Sequence, residues 1–226
     1  MRIERLPTNS PLDKILDGGI EYGVVTNIYG PAGSGKTNVC LSALTSVKNK
    51  KIIYIDTEAS FSAERLVQMT KDESVLKRLL LFEPKTWEEQ LKAVKELEGM
   101  VKKEHVGLVI IDSIVSLYRL EINDQNFSEI NRQLATVYSI LSKIAREHNL
   151  PVLVTNQIYI AGEEVELTSK TIALYWSKAL VELQKTDRPN HRMAIVRKHR
   201  SLPEGRSVEI KITEHGLEEA GKMSLF

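Results

Sequence analysis

Short apolar runs rich in β-branched residues recur along the chain and predict buried β-strands. Each run is four to six residues long and is bounded by polar or turn-forming residues, which is typical of strands rather than helices. The runs cover residues 24–29, 52–56, 79–82, 108–112, 152–156, 179–183, 193–197 and 208–212.

Amphipathic segments with apolar residues at helical spacing lie between the earlier strands. Thr86 and Glu89 have the spacing of a capping box, which predicts that a helix begins there. A second helix is predicted by an apolar stripe from Ile130 to Ile144, and it should end before Pro151.

The alternation of strands and helices predicts an α/β fold with a mostly parallel central sheet flanked by helices. From about residue 178 onward, strands follow one another with only short connections. This change of pattern predicts a β-rich C-terminal edge appended to the parallel sheet.

Composition narrows the class of protein. The chain has 226 residues, a formal charge of +1 and one cysteine, so neither a disulfide scaffold nor a strong global attraction for nucleic acid is expected. No secretory signal or membrane span is apparent, and we expect a cytoplasmic protein. We expect one core domain over residues 1–226, with residues 1–22 as a short lead-in and no separate N-terminal DNA-binding domain.

The segment from Gly30 to Thr37 fits the P-loop pattern G-x-x-x-x-G-K-S/T, and it lies between a predicted strand and a predicted helix. Its backbone N–H groups would surround a polyphosphate, Lys36 would reach the β- and γ-phosphates, and Thr37 would ligate Mg²⁺. ATP with Mg²⁺ is the expected ligand. The predicted binding residues are Gly30, Pro31, Ala32, Gly33, Ser34, Gly35, Lys36, Thr37 and Asn38.

Polar residues follow three other predicted strands and are candidates for the chemistry. Asp112 ends an apolar strand in the manner of a Walker B carboxylate, which holds Mg²⁺ through water. Glu58, two residues after Asp56, could accept a proton from the attacking water, with Asp56 in a supporting or Mg²⁺-side role. Both could instead cap the next helix. Gln157 could contact the γ-phosphate, or it could simply belong to a turn.

Taken together, these residues resemble the ATPase core of the RecA/RadA recombinase family over nearly the whole chain. The resemblance implies that Glu58 is the catalytic base, that Gln157 senses the γ-phosphate, and that Arg65 and Gln68 line the adenine. For Arg65 and Gln68, an exposed helical pair remains the alternative. Further matching segments are residues 12–16, 18–23, 56–58, 61–66, 202–205 and 212–217.

The chain most resembles the short archaeal paralogues of this family. It lacks, in residues 2–11, the Phe-x-x-Ala segment by which RadA-type recombinases dock on a neighbouring subunit. The resemblance implies a DNA-binding accessory protein of homologous recombination and repair, working at the nucleoid beside a RadA-type recombinase and other repair proteins. We expect a weak, slowly hydrolysing DNA-associated ATPase, with an ATP-gated adaptor of negligible turnover or a hexameric motor as the alternatives. The chain could also form a homodimer.

DNA binding is expected to depend on a local basic segment. The two loops that line DNA in recombinase filaments would be residues 118–127 and 158–171, and both are rich in acidic residues, which repel phosphates: Glu121, Asp124, Glu163, Glu164 and Glu166 against Arg119 and Lys170. Residues 185–206 are basic instead. Arg197, Lys198 and Arg200 are candidates for DNA phosphates or for a nucleotide on an adjacent subunit; a solvated strand edge is the alternative.

Overall fold

The computed structural model describes residues 3–161 and 164–221, which form a layered α/β structure. The strands are β1 (Arg5–Leu6), β2 (Ile20–Glu21), β3 (Val25–Gly30), β4 (Lys51–Asp56), β5 (Leu79–Phe82), β6 (Val106–Asp112), β7 (Val152–Ala161), β8 (Glu164–Leu167), β9 (Ala179–Lys185), β10 (His191–His199), β11 (Ser207–Thr213) and β12 (Gly216–Glu219). The helices are α1 (Leu12–Ile15), α2 (Lys36–Thr45), α3 (Ala63–Thr70), α4 (Trp87–Lys103), α5 (Ser116–Glu121), α6 (Phe127–Glu147) and α7 (Lys170–Trp176), with a 3-10 helix at Glu73–Arg78.

The central sheet has the strand order β12-β11-β10-β9-β3-β7-β6-β4-β5. The strands from β9 to β5 are parallel, whereas β10, β11 and β12 are added antiparallel to one another and to β9. The predicted fold class is therefore confirmed, including the β-rich C-terminal edge.

Helices cover both faces of the sheet. Successive residues of each parallel strand point to opposite faces, so both sets of side chains are buried. Ile53 and Ile55 of β4 pack with the apolar faces of α4 and α6, while Ile52 and Tyr54 pack with α2 and α3. Among the described residues, no helix combines the length and apolar composition that crossing a membrane requires.

The parallel register brings the functional strand ends together. Asp56 of β4 is paired with Asp112 of β6, and Gly30 of β3 is paired with Gln157 of β7. Since the carboxyl ends of parallel strands meet at one edge, the start of the phosphate loop at Gly30 and the three polar residues lie around one crevice.

The two segments expected to be DNA-lining loops are partly helix and strand in the residues that the structure describes. Residues up to Glu121 of the first segment belong to α5, so only residues 122–126 form a connection. In the second, β7 continues to Ala161 and pairs antiparallel with β8, which makes a hairpin. The side chains of Glu163, Glu164 and Glu166, on which the expected acidic charge depended, lie outside the described residues.

Candidate nucleotide-binding site

The phosphate loop packs tightly against the neighbouring strand, which explains its first glycine. A Cβ atom on Gly30 would lie 2.3 Å from the carbonyl oxygen of Leu183 in β9. Gly35 has φ +96°, a left-handed conformation that suits glycine, and immediately precedes α2. The loop therefore ends at the N-terminus of a helix, where backbone N–H groups are free to bind an anion.

Lys36 lies folded over the loop. Its Nζ atom donates to the carbonyl oxygens of Gly30 and Pro31, at 3.0 Å each. Burial lowers the pKa of Lys36, although the nearby carboxylates of Glu58 and Asp112 oppose the shift. A bound phosphate would favour the charged ammonium form in the same way.

The carboxylate of Asp112 is the centre of a buried group of hydroxyls. Its oxygens accept hydrogen bonds from Thr37 Oγ1 at 2.7 Å, from Tyr54 at 2.8 Å and from Thr155. Burial raises the pKa of Asp112, while these hydroxyl bonds act to lower it. The contact with Thr37 joins the two residues predicted to serve Mg²⁺, although Ser113, Tyr54 and Thr155 were not foreseen as part of the site.

The two carboxylates after β4 have different environments. Asp56 is buried and accepts the backbone N–H groups of Glu58 at 3.0 Å and Phe61 at 2.7 Å, so it stabilises the turn. Ser62 caps the next helix by accepting from the N–H of Arg65. The helix cap considered for Glu58 and Asp56 is therefore formed by Ser62, and the contacts of Asp56 support the turn before the helix.

Glu58 faces Gln157 across the crevice. Its Oε1 atom accepts from Gln157 Nε2 at 2.6 Å and from Ser113 Oγ at 2.7 Å. Gln157 in turn accepts from Arg119 Nη1 at 2.5 Å. Glu58 and Gln157 line a pocket of about 270 Å³ together with the phosphate loop and Asp112.

A second pocket of about 500 Å³ adjoins the first and includes Asn38, Arg65 and Gln68. Arg65 is held in place because its guanidinium donates to Asn38 Oδ1, Gln68 Oε1 and the carbonyl of Thr213. The two pockets share Asn38 and Ile212, so one extended ligand could occupy both. This arrangement suits a nucleotide, with its polyphosphate in the first pocket and its nucleobase in the second.

The polar atoms of the site indicate how it would hold phosphate and Mg²⁺. The buried Ser34 Oγ has no hydrogen-bond partner among the described residues. Across all the residues that the structure describes, no group of three or more His, Cys, Asp or Glu side chains is arranged to hold a metal. A Mg²⁺ ion here would therefore depend on phosphate oxygens and water in addition to Thr37 and Asp112, which fits the preference of this ion for such ligands.

The basic segment is divided between the two ends of β10. Arg192 lies at the phosphate loop and donates to the carbonyl of Gly33 at 2.9 Å. At the far end, Arg197 binds Glu182 at 2.6 Å, Arg200 binds Glu21 at 2.5 Å, and Lys198 donates to the carbonyl of Leu174. The three predicted cations therefore already have partners, and roughly 20 Å of extended strand separates them from the phosphate loop of their own chain.

A parallel sheet with a phosphate loop after β3 and carboxylates after β4 and β6 defines the RecA-type class of P-loop proteins. The chain belongs to the Rad51 family, whose model matches residues 2–220.

Individual relatives narrow the comparison further. The chain is 38% identical over 224 residues to the DNA repair and recombination protein RadB of Methanobrevibacter smithii, covering 94% of this chain and 95% of the relative. It is 42% identical over 214 residues to RadB of Methanococcus maripaludis, covering 92% and 97%. A structure titled as the crystal structure of the RadB recombinase superposes with a TM-score of 0.82 at 37% identity, covering 96% of this chain and 100% of that one.

Proposed function

We propose that this protein is an ATP- and Mg²⁺-binding, slowly hydrolysing, DNA-binding accessory protein of homologous recombination and repair. It would act as one ATPase core and assist or regulate a RadA-type recombinase. The observation that carries the nucleotide part is the convergence of Lys36, Thr37 and Asp112 on one crevice beside the N-terminus of α2. The names of its relatives support the part played in DNA repair and recombination.

ATP would bind with its phosphates in the loop and its adenine toward Arg65 and Gln68. Lys36 would leave the carbonyls of Gly30 and Pro31 and bind the β- and γ-phosphates. Thr37 would ligate Mg²⁺ directly and Asp112 through water. When bound, Mg²⁺ would neutralise charge on the β- and γ-phosphates.

Glu58 is the proposed base for hydrolysis, and Gln157 the proposed sensor of the γ-phosphate. Both side chains line the pocket that the phosphate loop forms, and the amide of Gln157 donates a hydrogen bond to the carboxylate of Glu58. A water molecule between Glu58 and the γ-phosphate would lose a proton to the carboxylate as its oxygen bonds to the γ-phosphorus, and the bond from that phosphorus to the bridging oxygen of ADP would break. The proton transfer would contribute about 10²–10⁴ in rate.

Two hydrogen bonds to Glu58 favour a second candidate function, an ATP-gated adaptor with negligible turnover. The Oε1 atom of Glu58 already accepts from both Ser113 and Gln157, which reduces its availability as a base. In the adaptor, ATP would change the position of Gln157 and β7 and thereby the affinity for a partner. Steady-state hydrolysis of ATP with and without single-stranded DNA separates the two functions.

Binding itself is tested by calorimetry of ATP in the presence of Mg²⁺. Lys36→Ala should remove most of the affinity because it deletes the charge that faces the β- and γ-phosphates, while the thermal midpoint stays close to that of the parent protein. Lys103→Ala changes an exposed lysine at the end of α4 and is the matched control. Equal affinity in the parent and Lys36→Ala would contradict the site.

A further inference from the structure

Three side chains form a continuous path from the phosphate pocket to a different cleft. Arg119 donates to Gln157 Oε1 at 2.5 Å, and Gln157 Nε2 donates to Glu58 Oε1 at 2.6 Å. Glu58 and Gln157 line the phosphate pocket, whereas Arg119 lines a cleft of about 500 Å³ between α5, α6 and α7. Within the part of the chain that the structure describes, the hydrogen bond of Arg119 to the candidate site is the one to Gln157.

The chemistry of these groups dictates how the amide is oriented. A guanidinium group can only donate hydrogen bonds, so Arg119 must face the carbonyl oxygen of Gln157. An ionised carboxylate can only accept, so Glu58 must face the amide nitrogen. The two partners therefore agree on one orientation of Gln157, and each bond includes a charged group, which strengthens it.

Arg119 is presented by a well-anchored element. It lies in α5, in which Leu117 and Tyr118 are buried. The hydroxyl of Tyr118 donates to Asn131 of α6 at 3.1 Å, and its ring packs edge-on against Trp87 of α4 at 5.9 Å. Because α5 is fixed on two sides, its arginine can restrain a neighbouring side chain.

We propose that Arg119 is a positioning residue for hydrolysis. It fixes the orientation of the Gln157 amide and, through that amide, the position of the Glu58 carboxylate relative to the γ-phosphate. This role rests on the proposed function of Glu58 and Gln157. Arg119 is not among the described residues that line the nucleotide pocket, and it reaches that pocket through its hydrogen bond to Gln157.

The kinetic test separates positioning from binding. In Arg119→Met, kcat for ATP should fall by about tenfold, since the loss of one charged hydrogen bond leaves Gln157 and Glu58 less ordered, while the Kd for ATP stays unchanged. Arg119→Lys should retain most of kcat because an ammonium group can still donate to the amide oxygen. Arg146→Met is the control for loss of an exposed arginine, since Arg146 lies in the last turn of α6.

A double-mutant cycle tests whether Arg119 acts through Gln157. Gln157→Met should lower kcat, and adding Arg119→Met to it should lower kcat no further. Independent effects that multiply in the double variant would overturn the proposal, because Arg119 would then affect hydrolysis by another route.

A spectroscopic readout decides the matter even without turnover. The side-chain Nε2 resonances of Gln157, assigned by their loss in Gln157→Met, should shift toward those of exposed glutamines in Arg119→Met but not in Arg146→Met. Unchanged resonances in Arg119→Met would overturn the proposal. A parent protein that binds ATP without hydrolysing it would contradict the proposed hydrolysis, whereas these resonances would still report whether Arg119 restrains Gln157.

Discussion

Asp56 and Glu58 differ in chemistry although they lie only two residues apart, Asp56 at the end of β4 and Glu58 in the bend that follows it. Asp56 is buried, and backbone N–H groups of the following turn occupy both of its oxygens. Glu58 is exposed, and two side-chain donors share its Oε1 atom. The first carboxylate therefore serves the turn, and the second is the one that can exchange protons with water in the pocket.

Glu58→Gln should abolish most hydrolysis while preserving nucleotide binding. The oxygen of the new amide can still accept from Ser113 and Gln157, so the geometry is kept, but the amide cannot take a proton from water. We expect a loss of at least about 10²-fold in kcat with an unchanged Kd for ATP. Glu64→Gln, in the first turn of α3, is the matched control, and equal rates in the two variants would assign Glu58 a structural role.

At the scale of elements, sequence predicted the central strands well and the short or polar ones poorly. Buried parallel strands are continuous apolar runs, so β3, β4, β5, β6 and the first half of β7 are readable from composition. The second half of β7 is missed because Asn156 and Gln157 resemble the end of a strand. The strands β1 and β2 have only two residues each, and no pattern can emerge from that length.

The candidate site was predictable to the extent that it is local in sequence. The phosphate loop and the strand-end carboxylates follow from short motifs and from the parallel topology. The contacts that orient them join distant positions, such as Arg119 to Gln157 and Arg192 to Gly33, 38 and 159 residues apart. No spacing rule within one chain predicts such pairs, because they depend on how strands pair and how β10 is added to the sheet.

The close approach of β3 to β9 predicts that Gly30 cannot be replaced without cost, whereas the exposed Gly99 can. Gly30→Ala should lower the free energy of unfolding by about 2 kcal/mol or more and weaken ATP binding, because the new Cβ would overlap the carbonyl of Leu183. Gly99→Ala, in the exposed middle of α4 with open space around it, should instead raise stability by about 0.5–1 kcal/mol. Urea denaturation measures both, and a neutral Gly30→Ala would contradict the tight packing.

At the scale of the whole molecule, one buried carboxylate joins the first strands of the chain to the segment that follows β10. Glu21 in β2 is 1% exposed and accepts from Arg5 at 3.4 Å, Arg200 at 2.5 Å and Ser201 at 3.1 Å. His199 lies beside it, with its ring nitrogen 3.8 Å from the carboxylate. This network connects β1 and β2 to the end of β10, so it stabilises the arrangement of elements far apart in sequence.

His199 should make stability depend on pH. Burial lowers its pKa, with Glu21 opposing and Arg5 and Arg200 adding to the fall. Below the ordinary histidine pKa of about 6.5, the unfolded chain therefore binds more protons than the folded one, and stability decreases as pH falls. His199→Gln should lose less stability between pH 7.5 and pH 5.5 than the parent protein; parallel thermal midpoints across that range would contradict the assignment.

Because the net charge is nearly zero, the proposed DNA affinity would have to come from a limited surface. The formal charge is +1, and at the far end of β10 each of the three candidate cations already has a partner. DNA phosphates would have to compete with Glu182 for Arg197 and with Glu21 for Arg200. Because Arg200 also neutralises a buried carboxylate, its substitution would disturb the fold, so Arg197 and Lys198 are the informative positions.

We expect the double variant Arg197→Gln with Lys198→Gln to bind single-stranded DNA about tenfold more weakly than the parent, at about 50 mM salt and for all base sequences alike. Its salt dependence should also be shallower, because fewer counterions are released when fewer phosphates are contacted. Lys92→Gln with Lys95→Gln, on the exposed face of α4, removes the same charge and is the control. Fluorescence anisotropy with a labelled oligonucleotide measures the affinity and its salt dependence.

Equal losses of affinity in the two double variants would mean that overall charge alone governs binding. Affinity lost instead on substituting Arg119 and Lys170 would place DNA at the cleft between α5 and α7.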